Sequence, residues 1–143
     1  MTAAYFDSSA IVKLYANELH HEAVRNLVEV PICTSLARVE VTAAFFGKAR
    51  SGEMTMNVAE VLRDVFLADW EDGRFLHVAP NESIETEAAQ LAAVHMVRGF
   101  DAVHLATALA ARRAVPELDL FVCFDKRLSQ AAANEGFELL PEQ

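Results

Sequence analysis

A chain of 143 residues, 53% of them hydrophobic, holds enough apolar material for one core and too little for two, so residues 1–143 are read as a single domain. A net charge of −9 argues against a uniformly basic, polyanion-binding surface. However, Glu53, Glu60, Asp64, Asp69, Glu71, Asp72, Glu82, Glu85 and Glu87 against Arg63 and Arg74 place −7 between residues 53 and 87 and leave −2 elsewhere. No apolar run approaches the ~20 residues a bilayer crossing needs, and the N-terminus lacks the features of a signal peptide, which excludes a membrane protein and predicts a cytoplasmic one.

In chain order, the apolar run 3–6 predicts a first strand, closed by Asp7. Ser8 and Ser9 then offer a cap for a helix over 9–17, implied by Ile11, Leu14 and Tyr15. A helix over 20–29 carries Val24, Leu27 and Val28, and a strand over 31–34 includes Cys33. The stretch 35–50 reads as a helix whose apolar face is Leu36, Val39, Ala43 and Phe46, with Glu40 on that stripe. A carboxylate there is costly to bury unless something positive meets it. Asn57 with Glu60 resembles a capping box for a helix over 57–71, with Gly52 and Gly73 at the turns. A strand over 75–78, a helix over 84–97 and a helix over 101–113 follow, the last opening on Asp101 after Gly99 and Phe100. A strand over 120–124 ends at Asp125, a helix covers 126–134, and a final strand covers 137–140. Alternating strands and helices imply right-handed crossovers and a mainly parallel sheet, hence a three-layer α/β/α sandwich. Cys33 and Cys123 have no metal-type spacing and read as buried free thiols.

Asp7 and Asp125 each follow a strand, and ligands of open α/β sheets bind at the carboxyl ends of strands, so the two should share one crevice. With Glu40 and Asp101 they make a four-carboxylate set of the kind a metal-dependent phosphodiesterase uses. Phosphodiester hydrolysis needs a water made nucleophilic at neutral pH and a stabilised anionic transition state, and paired divalent ions provide both. Magnesium takes few protein ligands and keeps several waters, so Asp7 and Asp101 are expected nearest the ion, with Glu40 and Asp125 holding a second ion or bound waters. Lys13, Arg38, Arg98, Lys126 and Arg127 lie near these acids in sequence, where each is a candidate for substrate phosphate or an ordinary solvated charge. His104 reads as a residue that packs and hydrogen-bonds beneath the site, His20 and His21 as exposed, and Phe45, Phe46, Phe66 and Trp70 as core or interface.

The runs Phe6-Asp7-Ser8-Ser9-Ala10-Ile11-Val12-Lys13, Arg38-Val39-Glu40, Gly99-Phe100-Asp101-Ala102-Val103-His104-Leu105-Ala106 and Phe124-Asp125-Lys126-Arg127-Leu128 resemble those of PIN-domain ribonucleases of the VapC toxin type. An acid after a strand is common, but four such motifs in order across nearly the whole chain are specific. The resemblance implies a PIN-like fold and a magnesium- or manganese-dependent endoribonuclease acting on RNA. It also implies a homodimer inhibited by a cognate VapB-type antitoxin, for which Val24, Leu27 and Val28 could line a groove. One position departs from the family: the hydroxyl residue usual two places before the last acid is Cys123, a poorer hydrogen-bond donor, which bears on how the neighbouring carboxylates are oriented. A haloacid dehalogenase-type phosphatase would need a second aspartate where Ser9 stands. The alternative that remains is a catalytically silent PIN-like binding module.

Overall fold

The computed structural model describes residues 2–142. Strands β1 (Ala3–Phe6), β2 (Val30–Thr34), β3 (Leu76–Val78), β4 (Leu120–Val122) and β5 (Glu138–Leu140) form one sheet in the order β3-β2-β1-β4-β5, and every neighbouring pair is parallel. Parallel neighbours need crossover connections, and helices fill them. Helices α1 (Ser8–Lys13) and α2 (His21–Arg25) lead to β2, and α3 (Ala37–Arg50) and α4 (Met56–Glu71) to β3. Helices α5 (Glu82–His95) and α6 (Gly99–Ala114) lead to β4, and α7 (Lys126–Asn134) to β5.

Successive side chains of a strand face opposite ways, which divides the interior into two cores. Tyr5, Ile32 and Phe121 enter the core shared with α5, α6 and α7, while Ala4, Phe6, Cys33 and Val122 enter the one shared with α1 to α4. This is the expected three-layer α/β/α sandwich. Strand order reverses around β1, which lies between β2 and β4, so the carboxyl ends of β1 and β4 open onto the crevice where such sheets bind ligands.

Several boundaries differ from the sequence reading. Helix α1 stops at Lys13, because Leu14 and Tyr15 donate to the carbonyls three residues back in a tighter turn. Helix α2 starts only after His20, held in the left-handed region at φ 70°, and ends at Arg25. Val28 is 87% exposed, and Val30 donates to the Thr2 carbonyl at 2.9 Å, which draws the chain into the sheet.

The buried face of α3 is Ala37, Val41 and Phe45, not the stripe at Leu36, Val39, Ala43 and Phe46. Val39 is 67% exposed, and Phe45 instead meets Phe66 edge-on at 6.2 Å. Helix α4 is capped by Thr55, whose hydroxyl accepts from the Val58 amide at 3.2 Å, so the capping box expected at Asn57 and Glu60 does not form. Neither Ser8 nor Ser9 caps α1: Asp7 does. Both cysteines are free and buried. Phe45, Phe66 and Trp70 are core residues and Phe46 packs against the same core. Among the described residues, no helix is long and apolar enough to cross a membrane.

Candidate active site

All four acids line one cleft of about 530 Å³, together with Ser8, Ser9, Arg98, Gly99, Phe100 and His104. Asp7 stands at the end of β1, and its amide donates to the Val122 carbonyl at 3.1 Å, which fixes it against β4. Its Oδ1 accepts from the Ala10 amide at 2.9 Å and from Ser9 Oγ at 2.7 Å. The side chain therefore caps α1 and faces the cleft at once. Burial pushes its carboxyl above the usual aspartate range, against the opposing pull of His104 and of those hydrogen bonds.

Asp125 is the corresponding cap of α7, its Oδ1 accepting from the Leu128 amide at 2.9 Å. The Cys123 thiol, in the position where a hydroxyl was expected, accepts from the Asp125 amide at 3.3 Å and so supports the turn that carries this acid. Asp101 lies in the first turn of α6, where Arg98 is the N-cap and makes no side-chain cap bond. Its carboxyl is pushed up by burial and then by the negative charges of Asp125 and Asp7, with His104 and Arg98 acting the other way.

Glu40 behaves differently. Ser8 Oγ donates to its Oε1 at 2.7 Å and His104 Nε2 lies 2.9 Å from the same oxygen. Burial acts to raise its carboxyl, but His104 and Ser8 outweigh burial and hold it below the usual glutamate range. His104 is 3% exposed, and its Nδ1 lies 2.8 Å from the hydroxyl of the fully buried Tyr5. The expectation that His104 hydrogen-bonds beneath the site thus holds. The part of Tyr5 was not readable, because 99 residues separate it from the imidazole.

Of the five cations near the motif acids, Arg98 lines the cleft. Lys13 is buried and bonds to Glu18 at 2.8 Å beneath the Phe124 ring, and Arg38 lies over the face of Trp70. His20 is exposed and stacks on Phe124.

The donor chemistry suits a hard divalent cation: carboxylate oxygens, with three of the acids crowded enough for Asp101 to feel both others. Among the described residues, no three His, Cys, Asp or Glu side chains already stand as a closed metal cage. An open site of one or two carboxylates completed by water and phosphate oxygens is how magnesium is usually held.

The PIN domain family profile matches residues 4–134. The chain belongs to the PIN-domain family. Within it the chain groups with the VapC ribonucleases. It is similar to ribonuclease VapC45 of Mycobacterium tuberculosis strain CDC 1551, 36% identical over 150 residues that cover 100% of this chain and 98% of the relative. It is also similar to ribonuclease VapC46 of strain H37Rv, 31% identical over 147 residues, covering 98% of each. Among solved structures, a toxin-antitoxin complex from Klebsiella pneumoniae superposes with a TM-score of 0.56 at 16% identity, covering 86% of this chain and 87% of that one, a likeness of fold.

Proposed function

We propose that the chain is the ribonuclease toxin of a toxin-antitoxin pair, a magnesium- or manganese-dependent endoribonuclease whose catalytic centre is Asp7, Glu40, Asp101 and Asp125. The observation that carries this reading is the meeting of four sequence-distant carboxylates in one cleft at the carboxyl edge of the sheet, in a chain related along its whole length to VapC ribonucleases. A bound divalent ion supplies the activated water and the charge that stabilises the anionic transition state. Asp7, Asp101 and Asp125 are the residues to hold it.

Glu40, with Oε1 already committed to Ser8 and His104, is suited to orient water rather than to give both oxygens to an ion. Arg98 at the rim is placed to meet a substrate phosphate, and Phe100, 54% exposed beside it, offers a face for an unpaired base. The reading takes 1–143 as one catalytic domain that acts as a homodimer.

For the antitoxin, an apolar groove of about 540 Å³ lined by Leu14, Tyr15, Val24, Leu27 and Phe75 suits an amphipathic helix. Val24 and Leu27 line it, whereas the exposed Val28 is not among its lining residues. The deciding experiment incubates antitoxin-free protein with RNA in magnesium or manganese and in chelator. Cleavage that appears only with metal supports the enzyme. No cleavage under any metal leaves the silent binding module.

A further inference from the structure

The four acids sit on different elements, and one buried imidazole ties three elements beneath them, β1, α3 and α6. His104 projects from α6 three residues after Asp101, reaches Glu40 of α3 through Nε2 at 2.9 Å, and meets Tyr5 of β1, two residues before Asp7, through Nδ1 at 2.8 Å. We propose that Tyr5 and His104 are positioning residues that fix Glu40 in the cleft with Oε1 held and Oε2 presented to the reacting centre. This rests on the ribonuclease reading above and adds to it two residues outside the four-carboxylate set.

A carboxylate only accepts, so the imidazole nitrogen 2.9 Å from Glu40 Oε1 is the one that carries a proton towards it. The hydroxyl of the fully buried Tyr5 lies 2.8 Å from Nδ1 and holds the other end of the ring, donating to that nitrogen whenever it carries no proton. The opposite tautomer would set the Nε2 lone pair against a carboxylate oxygen at 2.9 Å. Without that donor, the tautomer that serves Glu40 loses its internal support.

Packing makes the arrangement rigid. The Tyr5 ring stacks on Phe121 at 5.1 Å and meets His104 edge-on at 5.9 Å, and its relative exposure is 0%. Both side chains are thereby closed off from solvent, the imidazole being 3% exposed. Ser8 adds a second donor to the same oxygen of Glu40 at 2.7 Å, and Oε2 accepts no hydrogen bond from the described residues. One oxygen is thus saturated and the other is left for water or an ion. A ligand-orienting shell of this kind is worth about 10- to 100-fold in metal affinity or activity.

The test uses Tyr5→Phe, His104→Gln, His104→Ala and the Tyr5→Phe/His104→Gln pair in the full chain. Phenylalanine keeps the stacked ring and deletes only the donor. Glutamine places an amide N–H where Nε2–H stood, and the core tolerates it better than alanine. Tyr5→Phe should lower kcat about tenfold at unchanged KM for RNA and raise the manganese concentration that half-saturates the thermal shift by a similar factor.

His104→Gln should retain more activity than His104→Ala, and adding Tyr5→Phe to it should cost nothing further, because the tautomer no longer matters. The parent imidazole's ¹⁵N spectrum should show a proton on Nε2, and Tyr5→Phe should shift the ring nitrogen signals. A Tyr5→Phe protein with parental kcat, parental manganese response and an unchanged spectrum overturns the proposal. So does His104→Gln that is as inactive as His104→Ala. If the parent cleaves no RNA, the ribonuclease reading fails by itself, while the ¹⁵N spectra and manganese melts still decide whether Tyr5 and His104 position Glu40.

Discussion

Replacing Asp101 by Asn separates a working metal site from an idle cluster of acids, because it should raise stability in one condition and lower it in the other. Asp101 is not a helix cap, so the change removes charge without removing a backbone partner. In chelator the parent keeps a carboxylate that burial and then Asp125 and Asp7 push above its ordinary 3.8. The sign follows from linkage. A carboxyl raised in the folded state favours folding below its unfolded value, and that advantage is lost as pH rises through the folded value. At neutral pH the metal-free parent therefore carries the cost of the charged form, and Asp101→Asn should melt at least as high. The gap should close as pH falls towards 4.

Metal reverses the order. Binding to the native state alone stabilises by about 2.7 kcal/mol at one hundred times the dissociation constant. At roughly 2.1 cal/mol/K of unfolding entropy per residue, a chain of 143 residues has about 0.3 kcal/mol/K, so the parent's Tm should rise by about 9 °C. The variant should rise far less. Glu40→Gln should show the opposite sign in chelator and melt below the parent at neutral pH, since His104 and Ser8 favour its ionised form. Differential scanning calorimetry across a manganese titration, with a chelator control and a pH series, measures all of these. A parent Tm indifferent to manganese, or an Asp101→Asn protein that responds as strongly as the parent, refutes the reasoning.

Asp7→Asn and Asp125→Asn should each abolish metal-dependent RNA cleavage while leaving circular dichroism unchanged, because asparagine caps a helix as well as aspartate; parental cleavage by either, free of contaminating nuclease, removes that residue from the site. Phe100→Ala should raise KM for single-stranded RNA about tenfold with little change in kcat, as expected for one base stack of roughly 1–3 kcal/mol; an unchanged KM rules out that contact. Burial pushes the Cys33 thiol up to about 12 and the Cys123 thiol higher still, so neither should react with a thiol reagent at pH 8 until the protein unfolds, and rapid native labelling contradicts the packing. Expression alone should arrest growth, and co-expression of the neighbouring small gene should relieve it; harmless expression of a protein that cleaves RNA in vitro speaks against the toxin role.

Much of this architecture was legible because its signals are local. Short apolar runs ended by an acid mark β1 and β4, and the strand-helix alternation fixes a parallel sheet before any contact is known. The face of α3 was not legible: Val39, Val41, Ala43, Ala44, Phe45 and Phe46 put apolar groups on all sides, so more than one stripe fits the helical period. Tertiary contact chooses between them, through Phe66 against Phe45. The cap of α4 was misplaced because Thr55 lies only two residues before Asn57 and both are good caps. Asp7 and Asp125 each end a strand just before a helix, a position from which one side chain can cap and still face the cleft, and both do so. The tyrosine beneath the site had no signal, since an aromatic residue in a strand reads as core and its hydroxyl's partner comes from the far end of the chain.

The order of the strands also sets when in its own synthesis the protein becomes dangerous. β1 is the central strand and among the earliest residues made, yet its neighbour β4 begins at Leu120, and the amide of the first acid bonds to the carbonyl of Val122. Until those residues emerge, β1 has an open edge and the crevice lacks both a wall and its last carboxylate. With the proposed centre incomplete, a nascent chain, or one cut short by a damaged message before Asp125, should cleave no RNA, and an inhibitor made alongside the toxin would have almost the whole of translation in which to be ready for it.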